Sequence, residues 1–289
     1  MGDDCALLRP DAGLELAVTT DMLIEGRHFL PGADARSLGH KALAVNLSDL
    51  AAMGAAPRWA TLSLALTTAE EAWLEAFSQG FFALAERHDV DLIGGDTTRG
   101  PLLTISITAM GEVPSGVAMY RASARADDDV WVSGELGGAA LGLVHPEIPE
   151  AAQRLHLPEP RVELGERLRG LAHAAIDISD GIAGDLQHIL ARSRLGATLH
   201  YADIPRPAVF ANLGDAQLEK DCVLSGGDDY ELLFTVAPGR RKEVAALSRE
   251  LGVPLTRIGA LHSGDPRMAI LDAAGKPMKF RGGFDHFQR

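Results

Sequence analysis

Aspartates border the apolar segments of this sequence in an arrangement suited to metal-assisted chemistry. Several stand within a few residues of a run typical of a β-strand, and they are Asp21, Asp96, Asp177, Asp180, Asp228 and Asp229. In open α/β layouts, the loops at strand ends converge on the ligand crevice. Glycines near such ends let backbone N–H groups approach phosphate oxygens. We therefore expect these carboxylates to converge on one site.

Asp49 is a different kind of signal, because it lies inside an apolar helical segment, one turn after Asn46. A carboxylate in apolar surroundings is costly unless it is paired or binds a metal. Its position therefore favours a functional role over a structural one.

The other aspartates each have a structural alternative. Asp180 can cap the N-terminus of a helix, as Asp commonly does. The segment 94–96 can be a tight turn, and 228–229 can be a turn with a solvated carboxylate. As a set, however, they exceed what capping requires, and carboxylates that converge need cations to offset their repulsion.

The ligand chemistry of this set points to Mg²⁺, since hard carboxylate oxygens without cysteine favour magnesium over zinc. Magnesium commonly bridges carboxylates to substrate phosphates, which suggests phosphoryl transfer from a nucleotide. The sequence contains no G-x-x-x-x-G-K-[ST], no G-x-G-x-x-G and no H-R-D with D-F-G. A nucleotide site here would be built from scattered aspartates and glycine turns.

The elements that position these residues alternate between strands and helices. We predict strands at 14–20, 59–66, 90–93, 102–113, 130–133, 174–178, 230–236 and 254–259. We predict helices at 34–54, 70–88, 137–144, 161–172, 182–194 and 240–251. This alternation favours an α/β (α+β) fold.

The composition changes around 114–129, which becomes richer in Gly, Ser and charge. We place a domain boundary there, with one domain at 1–115 and a second at 122–289. The segment 145–157 contains two prolines and is predicted to be a surface connection.

Composition excludes several classes of protein. The chain has 289 residues, 46% of them hydrophobic, and a formal net charge of −13, which argues against overall disorder and against a nucleic-acid binder. With Cys5 and Cys222 alone, there is no disulfide framework or zinc spacing, so we expect a reducing, cytoplasmic setting. We expect no membrane span and no signal peptide.

Eight motifs resemble those of the thiamine-monophosphate kinase family, in order and over almost the whole chain. They are GDDCALL (2–8), TTD (19–21), GRHF (26–29), KALAVNLSDLAAMGA (41–55), LIGGDTTRG (92–100), IDISDG (176–181), SGGDDYEL (225–232) and GFDHF (283–287). The scattered aspartates are shared with aminoimidazole ribonucleotide synthetase and selenophosphate synthetase. The combination of NLSDLAAMGA, GGDTTRG and GFDHF is particular to the kinase.

The resemblance implies transfer of the γ-phosphate of ATP directly, in line, to thiamine monophosphate, giving thiamine diphosphate and ADP. It implies several Mg²⁺ ions and no phospho-enzyme. It also implies an N-terminal α/β domain for ATP, Mg²⁺ and dimerisation, followed by a C-terminal α/β domain. The expected partners are ATP, thiamine monophosphate and a second copy of the chain in a homodimer, with no nucleic acid and no membrane.

The resemblance also assigns roles to residues, by motif match. Metal would be held or neighboured by Asp4, Thr19, Thr20, Asp21, Asp49, Asp96, Asp177 and Asp180. ATP would be contacted by Gly95, Asp96, Arg121 and Ser179, and the thiamine substrate by His28, Asp228 and Phe284. The catalytic set would be Asp49, Asp96 and Asp180.

The sequence departs from the family pattern at two points. Members usually carry a helix and a short strand ahead of the GDD motif, so Asp4 is expected to lie near a fraying chain end. Asp228 stands where Glu is frequent, and its shorter side chain is expected to reach its substrate through water.

Two alternatives stay open. One is another ATP-dependent synthetase of the same superfamily, although selenophosphate synthetase would need a reactive cysteine, and Cys5 beside two leucines is more typical of packing. The other is a non-catalytic nucleotide-binding or Mg²⁺-binding module.

Overall fold

Two helices cover one face of a four-stranded sheet in the first part of the chain. The computed structural model describes residues 5–283. The sheet contains β1 (Leu14–Ile24), β2 (Ala56–Leu66), β3 (Asp91–Arg99) and β4 (Thr104–Pro114), in the order β1-β4-β2-β3. β4 runs antiparallel to β1 and β2, whereas β3 runs parallel to β2. The helices are α1 (Ala35–Met53) and α2 (Glu71–Arg87).

Helix α1 has well-defined ends and a tight contact with α2. The Asp34 side chain caps it by accepting the Ser37 N–H at 2.8 Å, and it ends at Gly54 in a left-handed conformation with φ of 69°. A Cβ built on Gly80 of α2 would lie 1.8 Å from the Arg36 carbonyl oxygen. Glycine is therefore required for the two helices to approach this closely.

The second part of the chain forms a six-stranded sheet with the order β10-β7-β9-β5-β8-β6. Its strands are β5 (Asp129–Ser133), β6 (Ala174–Asp177), β7 (Leu195–His200), β8 (Leu232–Val236), β9 (Leu255–Ser263) and β10 (Met268–Leu271). Its helices are α3 (Gly138–Val144), α4 (Pro149–His156), α5 (Val162–Leu168), α6 (Ile182–Ser193), α7 (Val209–Leu213), α8 (Ala216–Ser225) and α9 (Arg241–Leu251). Short 3₁₀ turns occur at Arg121–Ser123, Tyr201–Asp203 and Pro238–Arg240.

Helix α1 joins the two parts of the molecule. It packs on β1 and β4 of the first sheet, and also on α4, α5, β6 and β8 of the second part. It is consequently buried on nearly all sides, as expected of a helix that is apolar all round. Polar side chains on α1 must therefore find partners within the protein.

The α/β (α+β) class with two sheets is confirmed, whereas several details of the predicted elements are wrong. Gly94, Gly95 and Asp96 lie inside β3 and not in a turn after a shorter strand, because 94–99 continue the pairing with β2. The segment 145–157 contains α4, because Pro149 occupies the first turn of the helix, where proline is tolerated. β7, α7, α8 and β10 were not predicted.

None of the helices within residues 5–283 has the length and apolar character needed to cross a membrane.

Candidate active site

Three aspartates from different elements meet where α1 joins the two sheets. Thr19 of β1 donates its hydroxyl to Asp49 Oδ2 at 2.5 Å. Ser48, next to Asp49 on α1, donates its hydroxyl to Asp177 Oδ2 at the end of β6 at 2.8 Å. Asn46 of α1 anchors the strand that carries the third aspartate, accepting the backbone N–H of Asp21 at 3.1 Å. We call Asp21, Asp49 and Asp177 the carboxylate cluster.

The pKa values of the carboxylate cluster show that the three groups are desolvated and repel one another. Burial raises the pKa of Asp21 to about 6, and the charge of Asp49 adds to the effect. Burial, followed by the charges of Asp49 and Asp21, raises the pKa of Asp177 to about 7, against the hydrogen bond from Ser48. Burial also raises the pKa of Asp49, against the hydrogen bond from Thr19 and the charge of Arg121. A cation placed among these groups would relieve the repulsion.

Arg121 stands close enough to this cluster to act on it electrostatically. The positive charge of its guanidinium partly offsets the rise in the pKa values of both Asp49 and Asp177. The residue lies in the 3₁₀ turn between the two parts of the chain and is exposed. An exposed, forked cation beside carboxylates can bind a phosphate oxygen of an incoming nucleotide.

The turn after β6 brings Ser179 and Asp180 to the same place. Asp185 Oδ2 accepts the backbone N–H groups of both residues at 3.1 Å. Gly181, with φ of 95°, occupies the N-cap position of α6. Asp180 is therefore not the cap of this helix, and the structural alternative considered for it does not hold.

Asp185 is a member of this region that the sequence did not single out. Burial raises its pKa well above the ordinary value, and the charges of Asp177 and Asp180 raise it further. Its sequence signal is a carboxylate in the otherwise apolar first residues of the helix, 182–186, which is easily taken for an acid favourable at a helix N-terminus.

A second group of contacts fixes Asp228 near the carboxylate cluster. Lys41 of α1 donates to Asp228 Oδ2 at 2.8 Å and to the Leu155 carbonyl at 3.0 Å. The Tyr230 hydroxyl donates to Asp228 Oδ1 at 2.9 Å. Neither Lys41 nor Tyr230 was predicted as a site residue. The signal for Lys41 is the same as for Asp49, a charged side chain inside an apolar helix.

One cavity of about 670 Å³ reaches Asp21 of the carboxylate cluster as well as Lys41, Asp228 and Tyr230, whereas Asp49 and Asp177 are not among its lining residues. Of the residues predicted for the site, Asp21, His28, Ser179, Asp180 and Asp228 line it. His28 is oriented by its own turn, since its Nδ1 accepts the backbone N–H of Ile24 at 3.0 Å.

The wall of the cavity is apolar in part, with Phe29, Leu30, Leu38 and Leu143 among its lining residues. Leu30 and Leu143 are 58% and 56% exposed, so they form an apolar rim. An apolar cavity with a few convergent polar groups suits a small organic ligand.

The two faces of the first sheet separate the predicted metal ligands. Side chains alternate between faces along a strand, and odd-numbered positions of β1 such as Thr19 and Asp21 face α1. Thr20 lies on the opposite, open face, where its hydroxyl pairs with that of Thr108 at 2.5 Å.

Asp96 also lies on the open face, because the cross-strand pairing places it in the same row as the exposed Met22. β3 is three strand spacings from β1, about 14 Å. Asp96 accepts the N–H of Thr97 at 2.9 Å. Within residues 5–283, no hydrogen bond or ion pair joins Asp96, or the neighbouring Gly95, to the carboxylate cluster.

The described part of the chain holds no group of three or more His, Cys, Asp or Glu side chains that could bind a metal ion alone. The donor set near Asp49 is nevertheless made of hard oxygens, including a threonine hydroxyl, as Mg²⁺ requires. Magnesium usually keeps several waters and shares substrate phosphates, so the residues fit this ion as partial ligands. Asp4 and Phe284 lie outside the described residues.

The chain matches two family models and several characterised relatives. The model of the AIR synthase related protein N-terminal domain matches residues 2–113, and that of the C-terminal domain matches residues 125–268. Thiamine-monophosphate kinase of Haemophilus influenzae is 42% identical over 100% of this chain and 91% of its own length. The enzyme of Salmonella typhimurium is 44% identical over 99% of this chain and 91% of its own length.

Solved structures agree with these relatives. The crystal structure of thiamine-monophosphate kinase from Stenotrophomonas maltophilia superposes with a TM-score of 0.89 at 47% identity, covering 96% of this chain and 90% of that one. The structure of AaThiL complexed with AMPPCP and TMP gives a TM-score of 0.83 at 30% identity, covering 99% and 92%. The resemblance of the motifs is thus confirmed, and the chain belongs to the thiamine-monophosphate kinase family of AIR synthase related proteins.

Proposed function

We propose that the protein transfers the γ-phosphate of ATP directly to the phosphate of thiamine monophosphate, giving thiamine diphosphate and ADP. The observation that carries the proposal is that one and the same cavity is lined by Asp21 of the carboxylate cluster and by the apolar rim. Thiamine monophosphate has a phosphate at one end and organic rings at the other. Its phosphate end matches the carboxylate side of the cavity, and its rings match the apolar rim. The TMP complex of a relative that is 30% identical supports the same acceptor.

Mg²⁺ would be held by oxygens of the carboxylate cluster with Thr19 and Asp180, and the ion would neutralise the phosphates of donor and acceptor. Asp4 and the open-face residues Thr20 and Asp96 remain predicted ligands. The triphosphate of ATP, in an extended conformation and with its bound ions, would bridge the distance between Asp96 on the open face and the carboxylate cluster on the other face. Several ions would be needed, because two anionic phosphates and several carboxylates must come together.

The protein's own groups position the reactants for an in-line transfer. Arg121 binds a phosphate oxygen of ATP through its guanidinium. Ser179 already donates its N–H to Asp185 and accepts from the N–H of Asp228, so its contact with ATP comes from its hydroxyl. The apolar rim and the predicted Phe284 cover the rings of thiamine, and His28 and Asp228 bind their polar edges. Positioning of this kind supplies much of the acceleration in phosphoryl transfer.

We also propose a homodimer, formed through the open face of the first sheet. Val18 and Met22 of β1 are 58% and 52% exposed on that face, and an apolar sheet face is commonly covered by a partner. The domain bounds 1–115 and 122–289 and the cytoplasmic location remain proposals. Cys5 and Cys222 are both free thiols, in keeping with a reducing compartment.

The test is to incubate the protein with ATP, Mg²⁺ and thiamine monophosphate and to quantify thiamine diphosphate and ADP by chromatography. We expect equimolar products that require all three components. Asp49→Asn should lose most of this activity, because it removes a charge from the carboxylate cluster. Its matched control is Asp89→Asn, which should keep the activity, since Asp89 is exposed and its φ of 52° suits asparagine. ATP hydrolysis without thiamine diphosphate would favour another synthetase of the superfamily, and ATP binding without turnover would favour the non-catalytic module.

A further inference from the structure

Asp228 is held at both of its carboxylate oxygens by groups that come from different parts of the fold. Lys41 belongs to α1, which packs on the first sheet, and it binds Oδ2, while Tyr230 binds Oδ1. Lys41 is 4% exposed and Tyr230 is 8% exposed. Lys41 is further fixed by the Leu155 carbonyl at the end of α4. The carboxylate is therefore held by two buried donors whose own positions are set by the core.

The backbone around Asp228 is fixed as firmly as its side chain. Asp228 and Tyr230 adopt φ values of 67° and 49°, a region that non-glycine residues seldom occupy. Their N–H groups bond to the carbonyls of Ser179 and Ile178 at 2.9 and 2.8 Å. Between them, Asp229 accepts the N–H of Gly137 at 2.7 Å, at the start of α3. Strained backbone that is held in this way is typical of ligand-binding positions.

We propose that Lys41 and Tyr230 are positioning residues, which hold the Asp228 carboxylate in one orientation so that it binds the ring portion of the phosphate acceptor. The inference rests on the proposed function. A carboxylate can accept about four hydrogen bonds, and two acceptor positions of Asp228 are taken by these donors. Lys41 and Tyr230 therefore determine which acceptor positions of Asp228 stay open to a ligand. This constraint matters more for the short side chain of Asp than for the longer one of Glu.

The location of the three side chains argues for this role over a purely structural ion pair. Lys41, Asp228 and Tyr230 all line the 670 Å³ cavity, so the orientation that the two donors impose on Asp228 bears on a ligand bound there. An ion pair such as Arg167 with Glu250, by contrast, is exposed on the surface and lines no part of this cavity. Holding a buried lysine in a ligand cavity costs desolvation, and orienting a substrate-binding group explains why that cost is tolerated.

The test compares Lys41→Met, Lys41→Arg, Tyr230→Phe, Asp228→Ala and the double variant Lys41→Met/Asp228→Ala. Steady-state kinetics give KM for thiamine monophosphate, KM for ATP and kcat. Lys41→Met should raise KM for thiamine monophosphate by about 10-fold or more, since it removes a hydrogen bond to a charged group. The ATP KM and kcat should stay within about 3-fold. Tyr230→Phe should give a smaller change in the same direction, and Lys41→Arg should restore most of the affinity.

The double variant separates positioning from other effects. If Lys41 acts through Asp228, Lys41→Met should add less than about 3-fold in the Asp228→Ala background, because coupled residues are not additive. Lys242→Met, at an exposed position of α9, is the control and should leave all three constants unchanged.

Three results would overturn the inference while leaving the proposed function intact. They are an unchanged KM for thiamine monophosphate in folded Lys41→Met, an equal rise of both KM values, or full additivity in the double variant. Should Lys41→Met fail to fold by circular dichroism, Tyr230→Phe decides by the same criteria. A wild-type protein that makes no thiamine diphosphate would refute the proposed function itself, and with it this role for Lys41.

Discussion

The Asp49→Asn variant should be more stable than the wild-type protein without ligands and far less active. Asparagine keeps the shape and can accept the Thr19 hydroxyl that Asp49 accepts at 2.5 Å. It removes, however, a charge that raises the pKa values of both Asp21 and Asp177. The substitution thus separates the electrostatic cost of the carboxylate cluster from its benefit in catalysis.

The size of the stability gain follows from the pKa of Asp21, which rises from 3.8 to about 6. Such a shift corresponds to roughly 3 kcal/mol between the two protonation states. Burial is the larger cause and the Asp49 charge the second, so Asp49 accounts for less than half of this energy, on the order of 1 kcal/mol. Repulsion from Asp177 adds a comparable amount, and we expect a gain of about 1–2 kcal/mol in the free energy of unfolding.

The pH dependence of this gain has a defined sign. A carboxyl group whose pKa is raised by folding binds more protons in the folded state, so stability falls as pH rises from about 4 to 7. The advantage of Asp49→Asn should therefore be full above pH 7 and vanish near pH 4. Urea unfolding at pH 8 and pH 4 in the presence of a chelator measures it.

Activity of the same variant should fall by at least about 100-fold, because the lost charge can no longer offset the charge of bound Mg²⁺. Added Mg²⁺ with ATP should stabilise the wild-type protein more than the variant. A variant that is less stable than wild type at pH 8, or one with near-wild-type turnover, would refute the placement of Asp49 among mutually repelling carboxylates that bind metal.

Three further substitutions test the packing and the buried charges. Gly80→Ala should lower the free energy of unfolding by more than about 2 kcal/mol, because the added Cβ would lie 1.8 Å from a backbone oxygen. The control Gly239→Ala has open space around it and should change the free energy of unfolding by less than about 0.5 kcal/mol. Chemical denaturation measures both. Glu231→Gln breaks a buried, bidentate arginine pair and should cost about 3 kcal/mol. The control Glu243→Gln, at an exposed ion pair, should leave the stability nearly unchanged, and equal losses would contradict this reasoning. Burial raises the pKa of Asp229 to about 7. The stability of the wild-type protein relative to Asp229→Asn should therefore decline as pH rises from about 4 to 7. Free energies of unfolding that change with pH in parallel for the two proteins would rule this out.

Local pattern was sufficient to predict most elements, because their periodicity and end signals agree with the fold. The limits of β3 were missed because Gly94 and Gly95 have low strand propensity. Their extended conformation is imposed by the ladder with β2, in which a Cβ on Gly95 would lie 1.8 Å from the Leu62 carbonyl oxygen. Such long-range pairing leaves no local trace, and the same holds for β10, which pairs with β7.

The site was predictable where a residue contradicts its surroundings, as Asp49 does. It was less predictable where the residue agrees with a common local role, as Asp185 does at the start of α6. The face of the sheet on which Asp96 lies depends on register across three strands. A one-residue slip would move it to the other face, and the sequence near Asp96 does not determine that register.

Polar residues on α1 explain why the site forms at this helix and not elsewhere. Lys41, Asn46, Ser48 and Asp49 lie on a helix that is buried on nearly all sides, so none can be solvated as a surface side chain would be. Each instead binds a group on another element, respectively Asp228, the Asp21 backbone, Asp177 and Thr19. Since two of these partners lie on β1 and two in the second part of the chain, packing α1 between the sheets assembles the site. Correct burial of one helix therefore orders the carboxylate cluster and the Asp228 contacts together.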